Sequence, residues 1–188
     1  MNLLFLIKVI YFFAIAILLA ILEIQIEGDQ GWASKLPTWK PKAGSRLDKI
    51  FRKISGQKEL TGYHTALMVF LLLVFHLVFI WNWHWTIWQE LELLAMFVLF
   101  TQVWDFLWFI LNPKFSLHKF NKDNVWWHKK WWGWMPLDYY LGIFFSALLF
   151  LPETIVLNPA AGVFKILVLL GVNLILITLT VIFYPKAY

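Results

Sequence analysis

The chain contains no cysteine. That excludes disulfides, thiolate metal sites, cysteine nucleophiles and S-acylation, and leaves His, carboxylates, hydroxyls and amides to carry any chemistry. Charge is scarce too: 14% of the 188 residues are Asp, Glu, Lys or Arg, whereas 61% are hydrophobic and the mean hydropathy is +0.69. A soluble domain of this length does not take such a composition, so a membrane-embedded chain is expected. Several enzyme signatures are also missing. The sequence has no phosphate-cradling G-x-x-x-x-G-K, no G-x-S-x-G nucleophile elbow and no H-E-x-x-H zinc helix. Paired histidine boxes of the membrane desaturase and hydroxylase type are absent as well.

Long apolar runs dominate instead. A bilayer core of roughly 30 Å takes about 20 apolar residues as a helix, and the stretches 3–26, 61–83, 87–111, 137–151 and 161–184 qualify, the fourth only just. None alternates in the manner of a barrel strand, and helices are the other way to satisfy backbone groups in lipid. The expected fold is therefore an all-α polytopic bundle of about five transmembrane helices, one domain over residues 1–188. The stretch 3–26 exceeds the ~7 to 15 apolar residues of a signal peptide and has no basic cluster before it, so a retained anchor is expected.

The 16 Lys and Arg outnumber the 11 Asp and Glu. They crowd into two loops, 28–60 and 112–136, while the connections 82–86 and 152–159 have none. The positive-inside rule then puts both basic loops in the cytoplasm, the N-terminus outside and the C-terminus inside, in a plasma or inner membrane. Basic residues beside apolar spans point to anionic lipid rather than nucleic acid as the partner, with an oligomer or a second membrane protein as a further expectation.

Within the first loop, Leu47, Ile50, Phe51 and Ile54 recur at i, i+3, i+4 and i+7, Ser45 to Asp48 has capping-box spacing, and Gly56 is placed to end the turn. This predicts a short helix lying on the leaflet. The second loop carries Trp126, Trp127, His128, Lys129, Lys130, Trp131, Trp132 and Trp134, and a further group, Trp81, Trp83, Trp85 and Trp88, marks the opposite interface. Anchoring at headgroup depth accounts for most of the 13 tryptophans.

The third stretch holds the polar residues that matter most. At about 100° per residue, Glu90, Thr101, Gln102 and Asn112 fall within about 60° of Asp105. Polar groups in a membrane turn toward the bundle interior or a wet cavity, so this face is expected to be buried. Glu92 falls off it and is expected to reach water. The orientation gathers Glu23, Glu27, Tyr63, His64, Asp105, Asn112, Asp138, Tyr139 and Tyr140 at the cytoplasmic side, beneath the loop carrying His118 and His128. His64, Asp105, His118 and His128 are the candidate ligands for a divalent metal such as Zn, Fe or Mn. Asp105, His64, His128 and Asp138 are the candidate catalytic groups, Asp138 orienting an imidazole, and Asn112, Trp108, Trp127, Lys130 and Tyr139 are candidates for substrate contact.

Each has a structural alternative. Asp105 can tie helices together through His64 or a loop lysine, His118 and His128 can contact headgroups, Glu23 and Glu27 can simply flank the first span, and Asn112 before Pro113 can simply end a helix. His76 lies mid-span about 18 Å from His64, which disfavours a bis-histidine haem and favours a hydrogen bond across helices. Two functions follow. One is a small integral membrane enzyme acting on a lipid or isoprenoid-type substrate at the cytoplasmic leaflet by hydrolysis or group transfer, with a divalent metal. The other is a non-catalytic assembly partner or small transporter with a polar seam along the third helix.

Overall fold

The computed structural model describes residues 3–55, 57–115 and 117–184. Helices carry the architecture: α1 (Leu3–Glu27), α2 (Arg46–Ile54), α3 (Gly62–Asn82), α4 (Ile87–Leu111), α5 (Leu137–Val156) and α6 (Pro159–Phe183). All but α2 are long and apolar enough to cross a membrane, as a multi-pass membrane protein requires. Their ends are set locally. Thr61, Thr86 and Asn158 accept the N–H groups of His64, Gln89 and Ala161, which satisfies orphan donors at the starts of α3, α4 and α6. Pro159 then occupies the first turn of α6, where its missing N–H costs nothing. Asn112, before Pro113, is extended and stops α4. Trp83 in the left-handed region stops α3. Helix α5 passes through Pro152 and runs five residues beyond the apolar stretch seen in sequence, bringing Glu153 into the bundle.

Helix α4 is the axis of the molecule: 67% of its most apolar stretch is buried, against 11% for α3 and α6. Helices α1 and α5 flank it and α6 closes the far side, while α3 stands further off and reaches the others through long side chains. Phe75 on α3 packs 4.5 Å from Phe12 and 5.3 Å from Phe100, ring centroid to centroid. The outward faces remain apolar, with Leu73, Ile155, Leu174 and Phe183 exposed, as lipid contact demands.

The run 126–136 is not a plain loop. Trp131–Trp132 and Met135–Pro136 form a two-stranded antiparallel hairpin, Trp131 opposite Pro136, turned at Gly133 with φ +59°. Trp127 is not exposed on the loop but buried, stacked 5.7 Å from Phe109. Helix α2 forms as its periodicity predicts, with Leu47, Ile50 and Ile54 exposed along one side. Ser45 caps it by accepting from Asp48 N, but Asp48 reaches back to Gly44 N rather than to Ser45, so the capping box is only half formed. That hydrogen bond, and then the Arg52 guanidinium, hold the Asp48 carboxyl below its ordinary range. Gly56, the expected stop, lies outside the described residues.

One polar group departs from expectation. Glu92 does not reach water: it bonds Lys8 at 2.5 Å and Lys165 at 2.7 Å, and Lys165 also takes Glu153 at 2.7 Å. Four helices are pinned together at the end of the bundle away from the basic loops. The helical angle was right but the boundary was not, because α1, α5 and α6 supply charged partners over that site. His76 makes the hydrogen bond across helices that its position predicts, to Glu90 at 3.0 Å.

Candidate functional site

At the other end, where loops 28–60 and 112–136 meet, the bundle holds a cavity of about 280 Å³. Its polar walls come from Glu23 and Glu27 on α1, His64 on α3, Gln102 and Asp105 on α4, and Asp138 on α5, with Lys58 entering from the segment after α2.

The α1 wall follows from helical spacing, since positions 23 and 27 are one turn apart and present both carboxylates on one side. Beyond them the chain turns back through Gly28, Gly31, Trp32 and Ala33, all with positive φ. Two of these are not glycine, and each costs of order 1 kcal/mol in that region. The turn delivers two things: Ala33 N donates to Glu27 Oε1 at 2.5 Å, and the Trp32 ring stacks on the His64 imidazole, centroids 4.2 Å apart. Asn112 fastens the turn to the end of α4 by donating to Gly28 O at 2.7 Å. Gly31 has a second constraint, because a Cβ there would lie 2.5 Å from the Trp127 ring. His64 Nδ1 lies 2.7 Å from Thr61 Oγ1, and its Nε2 faces Glu23 and Glu27 at 3.6 and 3.5 Å.

The opposite wall is a chain of charges. His128 Nε2 lies 3.1 Å from Asp105 Oδ2 and its Nδ1 lies 3.0 Å from Asp138 Oδ2. Asp138 in turn pairs with Lys58 Nζ at 2.8 Å, and Tyr139 donates its hydroxyl hydrogen to Asp105. Both imidazole nitrogens face carboxylates, and only the doubly protonated ring can donate to both. Burial opposes that charge, and so does Lys58. The Asp105 charge and the two hydrogen bonds outweigh them, and the His128 pKa rises above its ordinary value. The ring is fully enclosed, whereas Asp105 keeps 27% of its side chain exposed. Asp105 and Asp138 are the carboxylates of this chain that a molecule in the cavity can touch.

Of the sequence candidates, Asp105, His64, Asp138, Trp108 and Trp127 line the cavity. His128 and Tyr139 stand behind Asp105. Lys130 is exposed and lines an adjoining recess of about 110 Å³ that shares Ser55, Lys58 and Asp138 with the main cavity. His64 and Asp105 do not pair with each other; they belong to opposite walls. Asn112 is fully buried and occupied with backbone partners at Gly28 and Lys114. His118 is exposed on a short turn, Leu117–Lys119, and does not line the cavity.

The site also recruits residues that the sequence left in the background. The sequence gathers Glu23 and Glu27 at the cytoplasmic side but does not count them among the metal ligands, although their i, i+4 spacing was the available signal. Lys58 was one basic loop residue among many, and Trp104 gave no sign at all. Glu23, Glu27 and His64 each offer one ligand atom within 4.8 Å of the others, an arrangement able to hold a metal ion. Comparisons with protein families, curated proteins and solved structures find no match.

Proposed function

We propose that this chain is a small integral membrane enzyme acting on a lipid or isoprenoid-type substrate at the cytoplasmic leaflet, by hydrolysis or group transfer. One observation carries the reading: a partly open carboxylate, Asp105, is held by a buried imidazole and a phenol at the wall of a cavity beside the basic loops. Asp105 is the catalytic base. His128, Tyr139 and Asp138 are positioning residues that fix its orientation and hold a proton at the far oxygen. Such positioned acid–base groups contribute about 10² to 10⁴ in rate. Basic residues of loops 28–60 and 112–136 gather anionic headgroups over the mouth, helix α2 lies along the leaflet, and the N-terminus is outside. A divalent cation of the zinc, iron or manganese class belongs to the same cavity.

A transporter requires a polar path across the whole thickness. Here α4 presents Leu93, Met96, Phe97 and Phe100, all buried, between the Glu92 ion pairs and the cavity. That apolar block favours the enzyme. The test is turnover of phospholipids and prenyl phosphates by the purified chain in nanodiscs, read by mass spectrometry. Asp105→Asn is expected to lower it by at least about a hundredfold. No turnover of either class, or an unimpaired variant, refutes the reading.

A further inference from the structure

We propose that Glu23, Glu27 and His64 are the protein ligands of a divalent cation whose open coordination positions face the indole N–H groups of Trp104 and Trp108. The proposal shares its cavity with the enzyme reading, rests on that reading only for the cation's use, and names a ligand set different from the one the sequence suggests.

The distances carry the first part. His64 Nε2 lies 3.6 Å from Glu23 Oε1 and 3.5 Å from Glu27 Oε1. Hydrogen bonds from a ring nitrogen to oxygen fall at about 2.7–3.2 Å, so these contacts are too long to be bonds. Around a tetrahedral ion with metal–ligand distances of about 2.0–2.2 Å, neighbouring ligand atoms stand about 3.3–3.6 Å apart. The two separations from His64 Nε2 match those of ligands around a shared centre, and the three ligand atoms all lie within 4.8 Å of one another. His64 is oriented for the role from behind. Thr61 Oγ1 lies 2.7 Å from Nδ1, and with the proton on Nδ1 the Nε2 lone pair points at the two carboxylates.

Charge balance gives the second argument. Four carboxylates border the cavity: Glu23, Glu27, Asp105 and Asp138. Facing them among the described residues are one lysine, Lys58, and one imidazolium, His128, and both of these are engaged by Asp105 and Asp138. Two carboxyl groups remain on α1 with no lysine in contact among the described residues. A divalent ion removes that surplus, and a set of two oxygens and one nitrogen selects a hard or borderline metal rather than a soft one.

The third observation is independent of both. Trp104 and Trp108 are each 3% exposed, both line the cavity, and neither Nε1 has a hydrogen-bond partner among the described residues. A buried indole N–H without an acceptor is costly. Both are donors only, so what they receive is an oxygen acceptor. Three protein ligands leave at least one position free, and a metal-bound water, hydroxide or headgroup oxygen there provides that acceptor.

The experiment uses the full chain in nanodiscs, stripped with chelator and titrated with Mn²⁺ under electron paramagnetic resonance, with Zn²⁺ content measured after dialysis. One equivalent per chain is expected. Glu23→Gln and His64→Gln should each weaken binding by more than about tenfold, the loss that even an outer partner of a metal site produces. Glu92→Gln, at the other end of the bundle, should leave binding intact. Water proton relaxation should report an exchangeable water on the bound Mn²⁺. If a variant does not fold, the other carries the comparison, and Mn²⁺ should raise the melting temperature of the unaltered chain. Absence of stoichiometric binding, or equal binding in both ligand variants, overturns the site. So does an infrared carboxylic-acid band that Glu23→Gln removes, since protons would then be neutralising α1. Binding without turnover leaves the site standing and removes the enzyme; turnover in metal-free protein leaves the enzyme standing and removes the cation's part in it.

Discussion

His128 Nε2 stands 3.1 Å from Asp105 Oδ2, joining the hairpin loop to the middle helix of the bundle across 23 residues of sequence. With Asp138 on the other ring nitrogen, the imidazole is charged as long as both carboxylates are. Its folded-state pKa lies above the unfolded value of about 6.5. The stabilisation is therefore complete below about pH 6.5 and fades as pH rises through the folded value. Melting temperature against pH should fall on the alkaline side in the unaltered chain, and that slope should flatten in His128→Asn. A slope identical in the two proteins would show that the ring does not titrate as described.

Asp105 is held by two donors, so its loss and the loss of one donor should differ in kind. Tyr139→Phe removes a single hydrogen bond to a charged group and should cost roughly 1.5–3 kcal/mol. Activity should drop less than in Asp105→Asn, because the base itself survives. Chemical unfolding in detergent, with turnover on the same preparations, makes the comparison; equal loss in both variants would place Tyr139 at the reacting atoms.

Gly31 carries a positive φ and has the Trp127 ring where a Cβ would go. Alanine there adds backbone strain of about 1–2 kcal/mol to an overpacking cost of about 1–3 kcal/mol. A destabilisation of roughly 2–5 kcal/mol is expected in Gly31→Ala, measured by thermal unfolding. At Gly44, where φ is also positive but nothing among the described residues stands within 4 Å of an added Cβ, only the strain remains, and Gly44→Ala should cost less.

Glu92 is the acceptor shared by Lys8 and Lys165. Glu92→Leu takes the acceptor from Lys8 and leaves Lys165 with Glu153, and breaking a buried pair from one side costs about 3–5 kcal/mol. Adding Lys165→Met should recover part of that loss, since the uncompensated charge goes with it. Strictly additive effects, in unfolding measurements on the two singles and the double, would mean the ion pairs do not pin α4 to α6.

Spans, the end of α4 before Pro113 and the short helix α2 were readable in the sequence because each depends on local quantities: apolar length, the residue before proline, helical angle. The same angles placed Asp105 on the inner face, and the loop assignment brought His128 and Asp138 near it. What remained hidden depended on pairing between distant segments. Nothing in the spacing says that Asp105 takes His128 rather than His64, or that His64 faces Glu23 and Glu27. Glu92 illustrates the same limit, since its angle is local but the lysines that shelter it come from α1 and α6. Periodicity specifies which way a side chain points along its own helix; what it meets there is settled by how the helices pack, and a buried charge keeps only the partner that packing brings within a few ångströms.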